Sequence, residues 1–345
     1  MTVGNDCYDA SDRHGPIAVV ANGTAGWVPP RSLAPWLDDP TDVARIRWMS
    51  DVTGVDLIHL GTVAGQRDLS DPASNQPLAT ALQILVGEQL LRTADPAEII
   101  LAGHGTGEIA VAVLAGALAP EAGLQLAVRV GQAQSAAASR RPGGQVALLG
   151  GDPDDITERA HELGLSVAAY NGGGAIVVSG PSDALDELLT APPLHARAER
   201  LPASGAYTSE LMTDVTSQVH RALSDLRIGA LRHPAVSGFD GLLAESADSY
   251  INGIVAQLTG PVHWDLIMDS LAKADSVAIL ELPPAGALSA LVVRGMPGVQ
   301  VTPIRTPLDL VEATARTMPL GGRHLAQKLS QEEFPGSATV PDRPL

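Results

Sequence analysis

Residues 101–110 read LAGHGTGEIA, a segment that requires a strand, a sharp turn and a helix in immediate succession. The apolar run Ile99 to Ala102 leads in. Gly103 and Gly107 permit tight backbone, and Ile109 to Ala119 continues with the alanine-rich composition of a buried helix. The turn is a G-x-x-x-G with glycine also at its centre, so the sequence supplies the frame of an elbow with no side chain at its apex.

A chain of 345 residues buries a full-sized core, which leads us to expect one large domain with a smaller one inserted, or two domains. After a polar leader over residues 1–15, the apolar run Ile17 to Ala21 enters the turn Asn22-Gly23-Thr24 as a strand. Residues 27–50, rich in Pro and Trp, read as a partly helical surface cover. Val55 to Leu60 fits a strand or a short buried helix. LATALQILVGEQLL, residues 78–91, is apolar around most of a helix and predicts a deeply buried one. A strand at 98–102 and a helix from Pro120 to Ala138 follow.

The polar break SRRPGG then changes the pattern. Segments 145–149, 153–163, 166–170, 175–179, 182–189 and 196–201 read as strand, helix, strand, strand, helix, strand, the order of a small split β-α-β domain. We therefore expect an insert over 139–205 within a discontinuous large domain, 16–138 and 206–310. A long helix over 211–230, a late strand from Val277 to Leu282 and a flexible Pro-Gly-Ser tail over 320–345 complete the reading.

With 22 basic against 39 acidic residues the net charge is −17, which opposes nucleic acid and anionic membrane as partners. The lone Cys7 forms neither an internal disulfide nor a cysteine metal site, as expected in a reducing cytoplasm. The N-terminus does not read as an export signal, and no window has 18 uncharged apolar residues, so a soluble cytoplasmic protein is expected. No cofactor is expected either. The histidines lack paired zinc spacing, and Gly172 to Gly174, without the Lys or Ser neighbours of a phosphate loop, reads as a hairpin turn.

Eight landmarks in order give the chain a wider identity: VVANGT, Asn75-Gln76-Pro77, GHGTGE, GGQVALLG, NGGGAIVVSG, LPASGAYTSELM, LTGPVHW and ELPPAGAL. From about residue 17 to residue 305 the chain resembles the malonyl-CoA:acyl-carrier-protein acyltransferases, including the acyltransferase domains of polyketide synthases. The resemblance implies an α/β fold: an α/β-hydrolase-like core with a parallel sheet, plus an inserted ferredoxin-like subdomain.

The departures from this resemblance fall on the positions that carry its chemistry. Its attacking serine falls at Gly105, its histidine partner at Thr208, and the arginine that clamps a malonyl carboxylate at Val130, with Arg129 on a different helix face. Its oxyanion glutamine falls at Asn22, its glycine-proline-glycine at Pro283-Pro284-Ala285, and a common arginine at His263. Threonine cannot accept a proton near neutral pH as imidazole does. Thr106 does not simply replace the serine, since its side chain leaves the elbow in another direction, whereas its backbone N–H holds the oxyanion position. His104 is expected to pack beside the elbow, and Glu108 to hold the helix start or a neighbouring loop.

We therefore assign no catalytic residue and name as pocket candidates Asn22, His104, Gly105, Thr106, Tyr207, Thr208 and Ser209. Two classes of function fit. In the first, a non-catalytic relative binds or organises intermediates linked to an acyl carrier protein, or works beside a polyketide synthase component. In the second, altered chemistry (non-covalent transfer, hydrolysis, decarboxylation or cyclisation) acts on an acyl thioester ligand. The first accounts for the several lost groups together. Val130 disfavours a malonyl carboxylate and favours an uncharged or longer acyl group, and Arg140 and Arg141 are candidates for docking an acidic carrier.

Overall fold

Four Asp-Pro pairs start helical segments. Asp39, Asp71, Asp95 and Asp152 each accept a backbone N–H two residues ahead, and the proline that follows occupies a position whose N–H would have no helical partner. The computed structural model describes residues 15–23 and 28–317. Cys7, Thr24, the leader apart from Gly15, and the tail at 320–345 lie outside them.

The first part of the chain runs through β1 (Ile17–Ala21), α1 (Pro40–Thr53), α2 (Leu57–Thr62), α3 (Gln66–Leu69) and α4 (Pro72–Leu91). The elbow itself is β2 (Ile99–Gly103) followed by α5 (Gly107–Leu114), after which α6 spans Pro120–Arg140. Helix α2 settles the ambiguous segment at 55–60. Helix α5 stops short of Ala119 because the chain turns at Gly116, whose φ is +92°.

The smaller unit is β3 (Gly143–Gly150), α7 (Pro153–Glu162), β4 (Ser166–Tyr170), β5 (Ala175–Pro181), α8 (Ser182–Thr190) and β6 (Ala196–Arg200). Its strands lie in the order β6-β3-β5-β4, antiparallel throughout, the ferredoxin-like arrangement. Val146, Leu148, Ile176 and Val178 face α7 and α8 and pack there with Leu185 and Leu188. The alternate residues of β3 face the other way. Gly172 to Gly174 form the β4–β5 hairpin, all with positive φ.

The chain then returns through α9 (Thr213–Ser224), β7 (Ala235–Val236), α10 (Ala247–Ala256), β8 (Val262–His263), α11 (Trp264–Lys273), β9 (Ala278–Glu281), α12 (Ala287–Gly295), β10 (Gln300–Pro303) and α13 (Pro307–Thr317). The expected helix over 211–230 is shorter than predicted. A 3-10 turn at Glu210–Met212 precedes α9, and beyond Ser224 the backbone is drawn against the end of α5, where Gly229 and Arg232 donate to the carbonyls of Ala117 and Ala115. Tertiary hydrogen bonds replace helical ones there.

The large sheet is wholly parallel, in the order β10-β9-β1-β2-β7. Along β1, Ile17, Val19 and Ala21 enter one apolar cluster with α4, α5 and α6, while Ala18 and Val20 enter another with Trp264, Ile267 and Ile279. A strand covered on both faces needs this continuous apolar run. The fold is thus α/β with a parallel sheet and a ferredoxin-like partner sheet. One strand of the small sheet comes from outside residues 139–205: β8 pairs in parallel with β4, Ala169 against Val262 and Tyr170 against His263.

Candidate functional site

Strands β1 and β2 end side by side, Ala21 opposite Gly103, so the residues that follow them share the carboxyl edge of the parallel sheet, where such folds bind ligands. The N–H of His104 donates to the Ala21 carbonyl at 2.9 Å. A Cβ on Gly107 would drive into the same carbonyl, so glycine there lets α5 start hard against β1. Gly105, at the apex, has φ +54°. Its ideal Cβ would meet nothing nearer than Val262 Cγ2 at 3.9 Å. The apex thus has the left-handed backbone of an elbow and room for a side chain it lacks.

Gly105 opens onto a cavity of about 440 Å³ between the two sheets. Asn22, His104 and Thr106 line it from the large sheet, Gln145, Ala147, Leu149 and Val177 from the open face of the small one. Helix α4 contributes Gln76, α6 Gln134 and α12 Leu288 and Leu291. Among the described residues, no Arg, Lys, Asp or Glu lines it.

Six of the seven pocket candidates therefore meet around one space: Asn22, His104, Gly105, Thr106, Tyr207 and Thr208. Ser209 is the correction. It is 1% exposed and lies off the cavity, its hydroxyl donating to the Ala206 carbonyl at 2.6 Å and accepting from Leu211 N at 3.3 Å. The reason is local: Ser209 caps the 3-10 turn that starts α9, which turns its side chain inward.

The Asn22 carbonyl accepts from Gln83 Nε2 at 2.7 Å. His104 Nε2 lies 2.8 Å from Asn171 Oδ1, and its ring tilts against buried Trp264 with centroids 5.9 Å apart. Burial pushes this imidazole below its ordinary pKa, against the opposing effect of Asn171, so it is neutral near neutral pH. The Tyr207 hydroxyl pairs with Ser204 Oγ at 2.7 Å, and burial pushes it up to about 12. It stays protonated.

Thr208 holds φ +60°, a rare conformation for a β-branched residue. Asparagine tolerates that backbone, so Thr208→Asn is expected to raise the free energy of unfolding by about 1 kcal/mol, read from urea melts. An unchanged midpoint would show that the loop already accommodates threonine without strain.

Val130 is 1% exposed and belongs to the core rather than the cavity wall, and Arg129 points outward. One helical turn on, Gln134 reaches the cavity and accepts a hydrogen bond from Gln76 Nε2. The pair escaped the sequence reading, although a polar residue four places from Val130 in an apolar stripe was the available signal. Asn171 and Gln145 were missed for another reason, since only the folded small sheet brings them here.

Glu108, wholly buried in the first turn of α5, accepts from Gly238 N at 2.7 Å and from Gln257 Nε2. It holds the loop after β7, one of the two structural roles expected for it. His263 stacks on Tyr170 with centroids 5.2 Å apart. Among the described residues no group of three or more His, Cys, Asp or Glu could hold a metal, and no helix is long and apolar enough to cross a membrane.

Residues 44–306 match the acyl transferase domain family. The malonyl CoA-acyl carrier protein transacylase of Mycolicibacterium smegmatis is 35% identical over 283 residues, 81% of this chain and 98% of the relative. The polyketide biosynthesis protein ThaF of Burkholderia thailandensis is 28% identical over 300 residues, 80% of this chain and 25% of that one. Among solved structures, MCAT from Mycobacterium tuberculosis superposes with a TM-score of 0.82 at 34% identity, covering 86% of this chain and 99% of its own. The family model covers well over half of the chain, including the elbow and the small unit, and a relative 35% identical is matched over 98% of its own length, so the chain belongs to the acyl transferase family.

Proposed function

We propose that this protein binds acyl thioesters, presented on an acyl carrier protein, without taking the acyl group onto itself, and so organises intermediates in a polyketide or fatty-acid-like pathway. One observation carries the reading: Gly105 keeps the elbow's left-handed backbone at the mouth of a 440 Å³ cavity while supplying no nucleophilic atom. Covalent transfer needs an atom that holds the acyl group between donor and acceptor. The groups around the apex do not replace it. Thr208 offers no base, neutral His104 is engaged by Asn171 through Nε2, and Tyr207 is protonated and paired with Ser204.

The relatives named as malonyl CoA-acyl carrier protein transacylases support the carrier and thioester in this reading. The acyl group differs from malonyl, because a carboxylate in the cavity would lose its hydration with no cation among the described lining residues to compensate. For docking, Arg140 and Arg141 are both exposed at the boundary of the small unit, with Arg140 only 3.9 Å from the similarly exposed Asp214, a weakly held ion pair that a carrier carboxylate can displace.

The test is intact-mass spectrometry of the protein incubated with hexanoyl-CoA and with a hexanoyl-loaded carrier protein, alongside native mass spectrometry of the mixture. Unmodified masses with a retained protein–carrier complex are expected. An acyl adduct on the protein, or a carrier that loses or alters its chain, would replace this reading with one of altered catalysis.

A further inference from the structure

The cavity wall is mostly aliphatic, yet α4 and α6 place two amides against each other within it. Gln76 is 3% exposed and Gln134 is 4% exposed. Gln76 Nε2 donates to Gln134 Oε1, which leaves Gln76 Oε1 buried with no partner. Gln134 lines the cavity with its remaining amide atom uncommitted among the described residues. Interchanging oxygen and nitrogen in both amides keeps the pair bonded and offers the cavity an acceptor in place of a donor.

Leaving such groups against an alkyl chain is unfavourable, since a buried amide without a complete set of hydrogen bonds forfeits the hydration it had in water. A carboxylate is a poor match, because the described lining holds no Arg or Lys. A hydroxyl suits the wall in either amide orientation, since it both donates and accepts. Its desolvation is far smaller than that of an ion.

We infer that the Gln76–Gln134 pair is a specificity element that selects acyl chains carrying a neutral hydroxyl, with Gln134 making the contact and Gln76 fixing its orientation. The inference rests on the thioester-binding reading above and refines it by naming the substrate class. Position supports the division of labour. Gln134 lines the cavity from α6 with one amide atom uncommitted among the described residues, while Gln76 reaches across from α4 and donates to its other amide atom.

The test uses hexanoyl pantetheine thioesters in which a single hydroxyl is moved from the β carbon to the terminal carbon, with unsubstituted hexanoyl and malonyl pantetheine as references, all by isothermal titration calorimetry. One hydroxylated member is expected to bind about fivefold to tenfold more tightly than hexanoyl, the worth of one net hydrogen bond. Malonyl should bind more weakly than hexanoyl. In Gln134→Leu the hydroxyl preference, measured as the ratio of hydroxylated to unsubstituted hexanoyl affinity, should fall below about twofold.

If Gln134→Leu fails to fold because it strands Gln76, the double variant Gln76→Leu/Gln134→Leu removes both amides and makes the same prediction. Equal binding of every hexanoyl member, or a preference that survives in the leucine variants, overturns the inference while leaving thioester binding intact. Failure of all the thioesters, hexanoyl included, overturns the parent reading as well. The two failures are distinguished by the hexanoyl reference alone.

Discussion

The Gly105→Ser/Thr208→His variant is expected to gain the mass of an acyl group when incubated with hexanoyl-CoA, whereas the parent chain stays unmodified. Three features of the site argue for so large an effect from two substitutions. The apex already has the left-handed backbone, and the new Cβ meets nothing nearer than 3.9 Å, so a serine there faces open cavity. Holding serine at φ +54° costs about 1 kcal/mol, which leaves the fold intact. Position 208 lines the same cavity at φ +60°, where histidine is better tolerated than threonine.

General-base assistance typically contributes about 10²–10⁴ in rate, so Gly105→Ser alone should acylate slower than the double variant by roughly that factor. Time-resolved intact-mass spectrometry of both variants decides the matter. A folded double variant that takes up no acyl group would mean that the thioester carbon is not presented at the elbow, and the binding proposal would lose its geometric basis.

Glu108 supplies the second large effect, on stability rather than chemistry. Burial pushes its carboxyl up to about 8 from 4.5, although the Gly238 N–H and the Gln257 amide both act to lower it. A carboxyl with a raised pKa in the folded state binds more protons folded than unfolded. The sign follows: its contribution is fully present below about pH 4.5 and is lost as pH rises to about 8. The loss is on the order of 4 kcal/mol. Gln257 Oε1 is buried without a partner, and exchanging the two atoms of that amide lets the protonated carboxyl donate to it.

Glu108→Gln keeps a neutral acceptor for Gly238 N and removes the titration. Urea unfolding of the two proteins at about pH 5 and about pH 8.5 should therefore show the parent losing on the order of 4 kcal/mol relative to the variant. Parallel pH dependence would mean that the carboxyl is ionised in the folded protein throughout, held by its two donors and the start of α5.

The parts of this structure that were legible in the sequence are those set by local pattern. Apolar runs and glycine or proline breaks gave the first strand, the helices over 78–91 and 120–138 and the elements of the small unit, and the glycines of LAGHGTGEIA gave the elbow, because each depends on neighbours within a turn or two, whereas α1 to α3 read only as a partly helical cover and an ambiguous segment. After residue 224 the reading thinned. Strands β7 and β8 are two residues each, too short for any period, and exist because longer strands are waiting to pair with them. The site divided in the same way. Gly105, Asn22 and Thr208 were visible from resemblance to a motif. Ser209 was misplaced because its cap geometry turns it inward, while Gln134 and Asn171 acquire their place only once helix and sheet are brought face to face.

The two-residue strand β8 has mechanical weight beyond its length. His263 N donates to the Gly238 carbonyl, Gly238 N donates to Glu108, and β8 itself is a strand of the small sheet. A single run of bonds thus spans from the elbow helix to the opposite wall of the cavity. That strut fixes the gauge of the space: the sheets cannot hinge apart to admit a thicker ligand without breaking backbone hydrogen bonds, so differences in ligand girth must be absorbed by side chains such as Leu288 and Leu291. If the proposed thioester binding holds, a container of this build is expected to discriminate by cross-section as well as by chemistry.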